Sequence, residues 1–124
     1  MPFIANADAP VFEMHNAHFL GLASPRRGAQ ETATWIVTLA PNSTGAPHRL
    51  TREEVFVALE GRAIAVVGEA THELTPESAL IVPANTLFSL SNPESVPFRA
   101  VAILPVGGQA SVAGGPAFTP PWAA

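Results

Sequence analysis

Gly45-Ala46-Pro47-His48-Arg49-Leu50-Thr51-Arg52-Glu53-Glu54-Val55-Phe56-Val57-Ala58-Leu59-Glu60-Gly61 is the stretch on which the reading of this chain turns. Successive residues of an extended chain point to opposite faces. Glu54, Phe56 and Ala58 therefore share one face, and Val55, Val57 and Leu59 share the other. His48 and Leu50, also two apart, share a face in the same way. Outward from this stretch the pattern repeats, with strands predicted at 17–23, 32–40, 47–50, 54–60, 62–67, 70–74, 79–82, 86–91 and 98–104. Turn chemistry separates them: Ser24-Pro25-Arg26-Arg27-Gly28, Pro41-Asn42-Ser43-Thr44-Gly45, Gly61, Gly68, Pro83-Ala84-Asn85 and Asn92-Pro93. No apolar pattern keeps a helical period for long, and short strands punctuated so regularly predict an all-β sandwich or barrel.

Composition narrows the chemistry. The 124 residues suit one domain, 1–124, and 48% apolar content with 13% charge is enough for a real core. The charged residues are six Arg, nine Glu and one Asp, for a net charge of −4. That balance argues against a nucleic-acid binder. Without Lys, Schiff-base chemistry and a phosphate-binding P-loop lysine are excluded; without Cys, so are disulfides, thiolate nucleophiles and thiolate metal sites. No apolar run approaches the roughly 20 residues that a bilayer requires, and no basic leader opens the chain, so a cytoplasmic protein away from membranes is expected. Residues 1–16 are expected to form an edge strand or an arm. Residues 107–124, rich in Gly, Pro and Ala, are expected to fold back over the barrel or over a partner subunit, because Phe118 and Trp122 are costly to leave in water.

The opening stretch resembles the first conserved motif of the cupin superfamily, His-x-His followed by Glu and then Gly. His48, Glu54 and Gly61 match it, while Leu50 stands at the second His. A second cupin motif, Pro-x-Gly followed by His and then Asn, is similar to the segment from Pro83 to Asn92. There Asn85 replaces the Gly and Phe88 the His, while Glu77 and Ser78 occupy the usual Gly-Asp turn before that strand. The likeness spans roughly residues 30–105 and implies a double-stranded β-helix, or jelly-roll, barrel. It also implies a metal held by three His and one Glu, of which only His48 and Glu54 remain. No metal and no cofactor are therefore expected, since two protein ligands hold a divalent ion too weakly for a defined site.

If Glu54 points inward, the interior should hold His48, Leu50, Glu54, Phe56, Phe88 and Leu90. Trp35 belongs either to that cavity or to the outer core and is counted with the ligand-binding set. Arg99, a charge in an apolar strand, is counted there as well, with Glu94 or Glu54 as its partner. Apolar walls with a few polar groups describe a small-molecule site. The first expectation is thus a metal-independent barrel binding a small molecule. The alternative is a small metal-free isomerase, cyclase or lyase in which His48 is the general base beside Glu54. In a structural reading the same two residues form a satisfied buried pair. Metal-free cupin epimerases also use a Tyr acid, and this chain has no Tyr. A further alternative is a metal-dependent dioxygenase or isomerase rescued by His15, His18 or His72, although His72 reads as a solvated hairpin residue and the other two as part of the arm. A homodimer is expected from the apolar surface of Val55, Val57 and Leu59, continued by Ile64 and Val66.

Overall fold

Alternation along the chain resolves into eleven strands, with three single-turn 3-10 segments as the only helical structure. A computed structural model describes residues 1–124. In chain order the strands are β1 (Val11–Met14), β2 (Ala17–Ala23), β3 (Thr32–Leu39), β4 (His48–Leu50), β5 (Glu54–Glu60), β6 (Ala63–Val67), β7 (Ala70–Leu74), β8 (Ala79–Val82), β9 (Phe88–Ser91), β10 (Phe98–Pro105) and β11 (Ala110–Val112). They form two antiparallel sheets, β1-β2-β3-β10-β5-β8 and β11-β4-β9-β6-β7. No helix is long and apolar enough to cross a membrane.

Each strand turns one parity of its residues into the space between the sheets. Trp35, Val37 and Leu39 of β3 are buried, as are Phe56 and Ala58 of β5, Phe88 and Leu90 of β9, and Phe98, Ala100, Ala102 and Leu104 of β10. Burying a large apolar side chain contributes about 1.5–3 kcal/mol each, which fixes the register against a one-residue slip. The expected continuation of the β5 surface by Ile64 and Val66 is corrected here. β6 pairs with β9 and β7 in the other sheet, so those two residues lie apart from Val55 and Val57.

The positions that matched the motifs have physical reasons to be what they are. Gly61 turns at φ 76°, and a Cβ there would sit 2.5 Å from the Pro97 carbonyl oxygen. Asn85, where the motif carries Gly, takes φ 60°, and Glu77 at the other degenerate turn takes φ 67°. Asn adopts this left-handed region more readily than most residues, whereas Glu carries strain there. Asn92 is fully buried, and its amide donates to the carbonyls of Leu39 (3.3 Å), Ala40 (3.2 Å) and Val96 (2.8 Å). Its Oδ1 accepts from the Glu94 N–H at 3.0 Å, so one side chain satisfies the backbone of two crossing loops.

The tail folds over its own barrel. β11 pairs with β4 at the edge of the second sheet, and Ala110 and Phe118 exchange two backbone hydrogen bonds of 2.8 Å. The chain ends in a single turn, Pro121–Ala123, that buries Trp122. The indole lies flat on Phe19, with centroids 3.6 Å apart and planes 1° from parallel, and meets Trp35 edge-on at 6.4 Å. Arg27 fastens this turn by donating to the carbonyls of Leu22 (3.0 Å) and Trp122 (3.3 Å).

Candidate functional site

Between the sheets lies a cavity of about 430 Å³, opening at one end of the barrel. Its mouth is formed by the β1–β2 turn, with His15 and Asn16, and by the loop 43–46 that leads into β4. Ala58, Ala63 and Ala65 do not reach it, and Leu74 and Leu80 line a separate, shallower hollow beside β7 and β8. Phe19, Trp35, Phe56 and Trp122 supply aromatic walls, and Leu50 and Leu90 supply aliphatic ones. Trp35 thus faces the cavity, the choice that alternation left open.

Two ionisable groups stand within. Glu54 is 3% exposed, and its Oε1 has no hydrogen-bond partner. Burial alone pushes its carboxyl up from 4.5 to about 8, so at neutral pH it is predominantly a protonated acid. His48 reaches the cavity from β4, with Nδ1 2.9 Å from the Ala46 carbonyl oxygen. A carbonyl only accepts, so Nδ1 carries the hydrogen and Nε2 presents its lone pair. Desolvation lowers the imidazole pKa, against a smaller raising effect from the Ala46 bond, and keeps the ring neutral. The structure corrects the reading of His48 and Glu54 as a hydrogen-bonded pair. No bond joins them; they share the cavity as two separate polar groups.

Two other expected ligand-binding residues are displaced. Phe88 does not line the cavity. It pairs across the ladder with His48, and its ring packs 4.3 Å from the imidazole and 5.9 Å from Phe56, bracing both from behind. Arg99 is on the outer face of β10, where it donates to Glu60 at 3.1 Å, not to Glu94 or Glu54. The sequence could not show this, because β10 is apolar on both faces and the β5–β10 register alone brings Glu60 opposite Arg99. His72 is exposed on β7, as expected, whereas His15, assigned to a surface arm, stands at the cavity mouth with φ 55°. Phe19, Met14 and Trp122 were missed as wall residues, since their place depends on terminal segments folding back.

A divalent metal does not fit this donor set. Leu50 and Phe88 stand where two of the three histidine ligands would be, and no three His, Asp or Glu gather anywhere in the structure.

Two antiparallel sheets folded face to face around a cavity define a jelly-roll barrel. The chain belongs to the cupin family: the Cupin_2 family, described as a cupin domain, matches residues 35–104. Auxin-binding protein T85 of Nicotiana tabacum is 28% identical over 86 residues, 61% of this chain but 46% of that protein. The chain thus spans less than half the length of this relative. Among solved structures, the polyketide cyclase RemF from Streptomyces resistomycificus superposes with a TM-score of 0.76 at 18% identity, over 98% of this chain and 88% of that one. A cupin sugar phosphate isomerase from Silicibacter pomeroyi does so with a TM-score of 0.67 at 17% identity, over 80% and 66%. At these identities the likeness is one of fold, which cupins use for many chemistries.

Proposed function

We propose that this cupin barrel binds a small, largely apolar molecule in its cavity without a metal ion. The observation that carries the reading is the cavity itself: about 430 Å³ of aromatic and aliphatic wall around one buried, unpartnered carboxyl. Pockets for small ligands occupy roughly 300–1,000 Å³ and have this make-up, and a buried polar atom with no protein partner is a point where a ligand atom can bond. Native mass spectrometry of protein purified without a histidine tag tests it. An organic adduct that leaves on denaturation is expected, and a transition metal as the only stoichiometric adduct contradicts the reading.

One observation favours a second reading, a metal-free isomerase, cyclase or lyase. An unprotonated imidazole and a protonated carboxyl line the same dry cavity at neutral pH, which are the forms that a general base and a general acid require. The superposition on a polyketide cyclase over 98% of the chain is in keeping with it. In that case His48→Ala abolishes turnover while binding persists. A lowered melting temperature with binding and turnover intact makes His48 structural instead.

A further inference from the structure

We infer that the ligand is an uncharged, flat ring compound bearing a phenolic or enolic hydroxyl, and that the site rejects carboxylates and phosphates. This inference rests on the ligand-binding reading above and narrows it by charge and by hydrogen-bond polarity.

No Lys or Arg lines the cavity, and its basic side chains are His48 within and His15 at the mouth. The chain has no Lys, and its six Arg are placed elsewhere. Arg27 holds the Trp122 carbonyl from behind the wall, Arg49 donates to the Asn85 carbonyl, and Arg62 and Arg99 pair with glutamates on the outer surface. Arg26 and Arg52 are exposed. An anion entering the apolar interior would leave its hydration shell and meet no guanidinium or ammonium in exchange, while Glu54 would oppose it whenever ionised.

The polar groups specify what is wanted instead. Glu54 Oε1 is buried without a protein partner, and His48, whose Nδ1 is taken by the Ala46 carbonyl, leaves Nε2 as its acceptor. A hydroxyl suits either group, since its oxygen accepts and its hydrogen donates. The surrounding rings of Trp35, Phe56, Phe19 and Trp122 provide edges and faces against which a flat ring packs.

Trp35 and Trp122 are the only tryptophans in the chain and both line the cavity, so their fluorescence reports occupancy directly. Three probes of one shape are titrated at pH 7: 2-naphthol, naphthalene and 2-naphthoate. About tenfold tighter binding of 2-naphthol than of either other probe is expected, since a polar site left unpaired by a ligand penalises it strongly. Glu54→Gln, which keeps a hydrogen-bond donor, should retain most of the preference over naphthalene. Glu54→Leu, which relieves a buried carboxyl and keeps the fold, should lose it. Binding of 2-naphthoate as tight as that of 2-naphthol overturns the inference and leaves the ligand-binding reading standing. A preference for 2-naphthol that survives Glu54→Leu overturns the role given to Glu54. No response to any probe removes the ligand-binding reading, and this inference with it.

Discussion

Glu54 is where burial, charge and function meet on one side chain. Its inward direction, with Phe56 and Ala58, is legible from alternation, because one inward parity runs through β5 as far as Ala58, ahead of the bulge at Leu59. Its lack of a partner is not legible, since alternation gives the face a side chain takes and not the groups it meets there. The consequence is a pH dependence of definite sign. The carboxyl binds its proton more tightly in the folded protein, at about 8 against 4.5, so its contribution to stability is fullest below pH 4.5 and is lost as the pH rises through 8. At roughly 1.4 kcal/mol per pH unit, about 3 kcal/mol is lost between pH 4.5 and 7. Glu54→Gln should therefore raise the urea midpoint at pH 7 and flatten its dependence across this window. An unchanged slope contradicts the buried, unpaired carboxyl. His48 acts in the opposite direction: its proton is held less tightly on folding, so stability falls as the pH drops below its ordinary 6.5.

At the scale of elements, the β4–β9 ladder and the terminal turn decide what kind of site this is. His48 and Phe88 are direct cross-strand partners, and Leu50 follows His48 on the same face. Leu50→His combined with Phe88→His should therefore create measurable affinity for zinc or nickel by calorimetry, with His48 and Glu54 completing the set. A folded double variant that binds neither ion contradicts the placement of these strands. The Trp122 turn makes a second test. Deleting residues 116–124 removes the cover from Phe19 and Trp35, and a loss of about 3–5 kcal/mol is expected from the large aromatic alone. A truncated chain that melts like the whole would show the tail to be a loose end. The strands from β2 to β10 were readable from period and turns. β11 was not, because its three residues sit among Gly and Pro and pair only at a sheet edge. The aromatic residues of the tail signalled burial, but nothing local told which surface they cover.

At the scale of the whole molecule, one face of the barrel has no partner within the chain. Across the six-stranded sheet, Val11, Leu20, Ile36, Val101, Val57 and Ala79 are successive ladder partners, an unbroken apolar row. Thr34, Ile103, Val55 and Ile81 make a second row, with Ile81 61% exposed. His18, Thr38, Arg99 and Glu60 make a polar border, which is where Arg99 belongs. Six strands at roughly 4.8 Å give a face on the order of 600 Å², close to the roughly 800 Å² per partner of a standard interface. We propose that a second copy covers it. Light scattering should give about twice the 12.9 kDa chain mass, and Val57→Glu should return the monomer. A wild-type monomer at micromolar concentration contradicts this.

The central claim, a cupin cavity that holds its ligand without a metal, is tested most directly by one isotherm measured twice. Protein treated with chelator is titrated with 2-naphthol through the fluorescence of Trp35 and Trp122, first alone and then with added iron, manganese or zinc. Identical curves are expected, because Leu50 and Phe88 leave such an ion nothing more than His48 and Glu54. Binding that appears only when the metal is restored would contradict the claim.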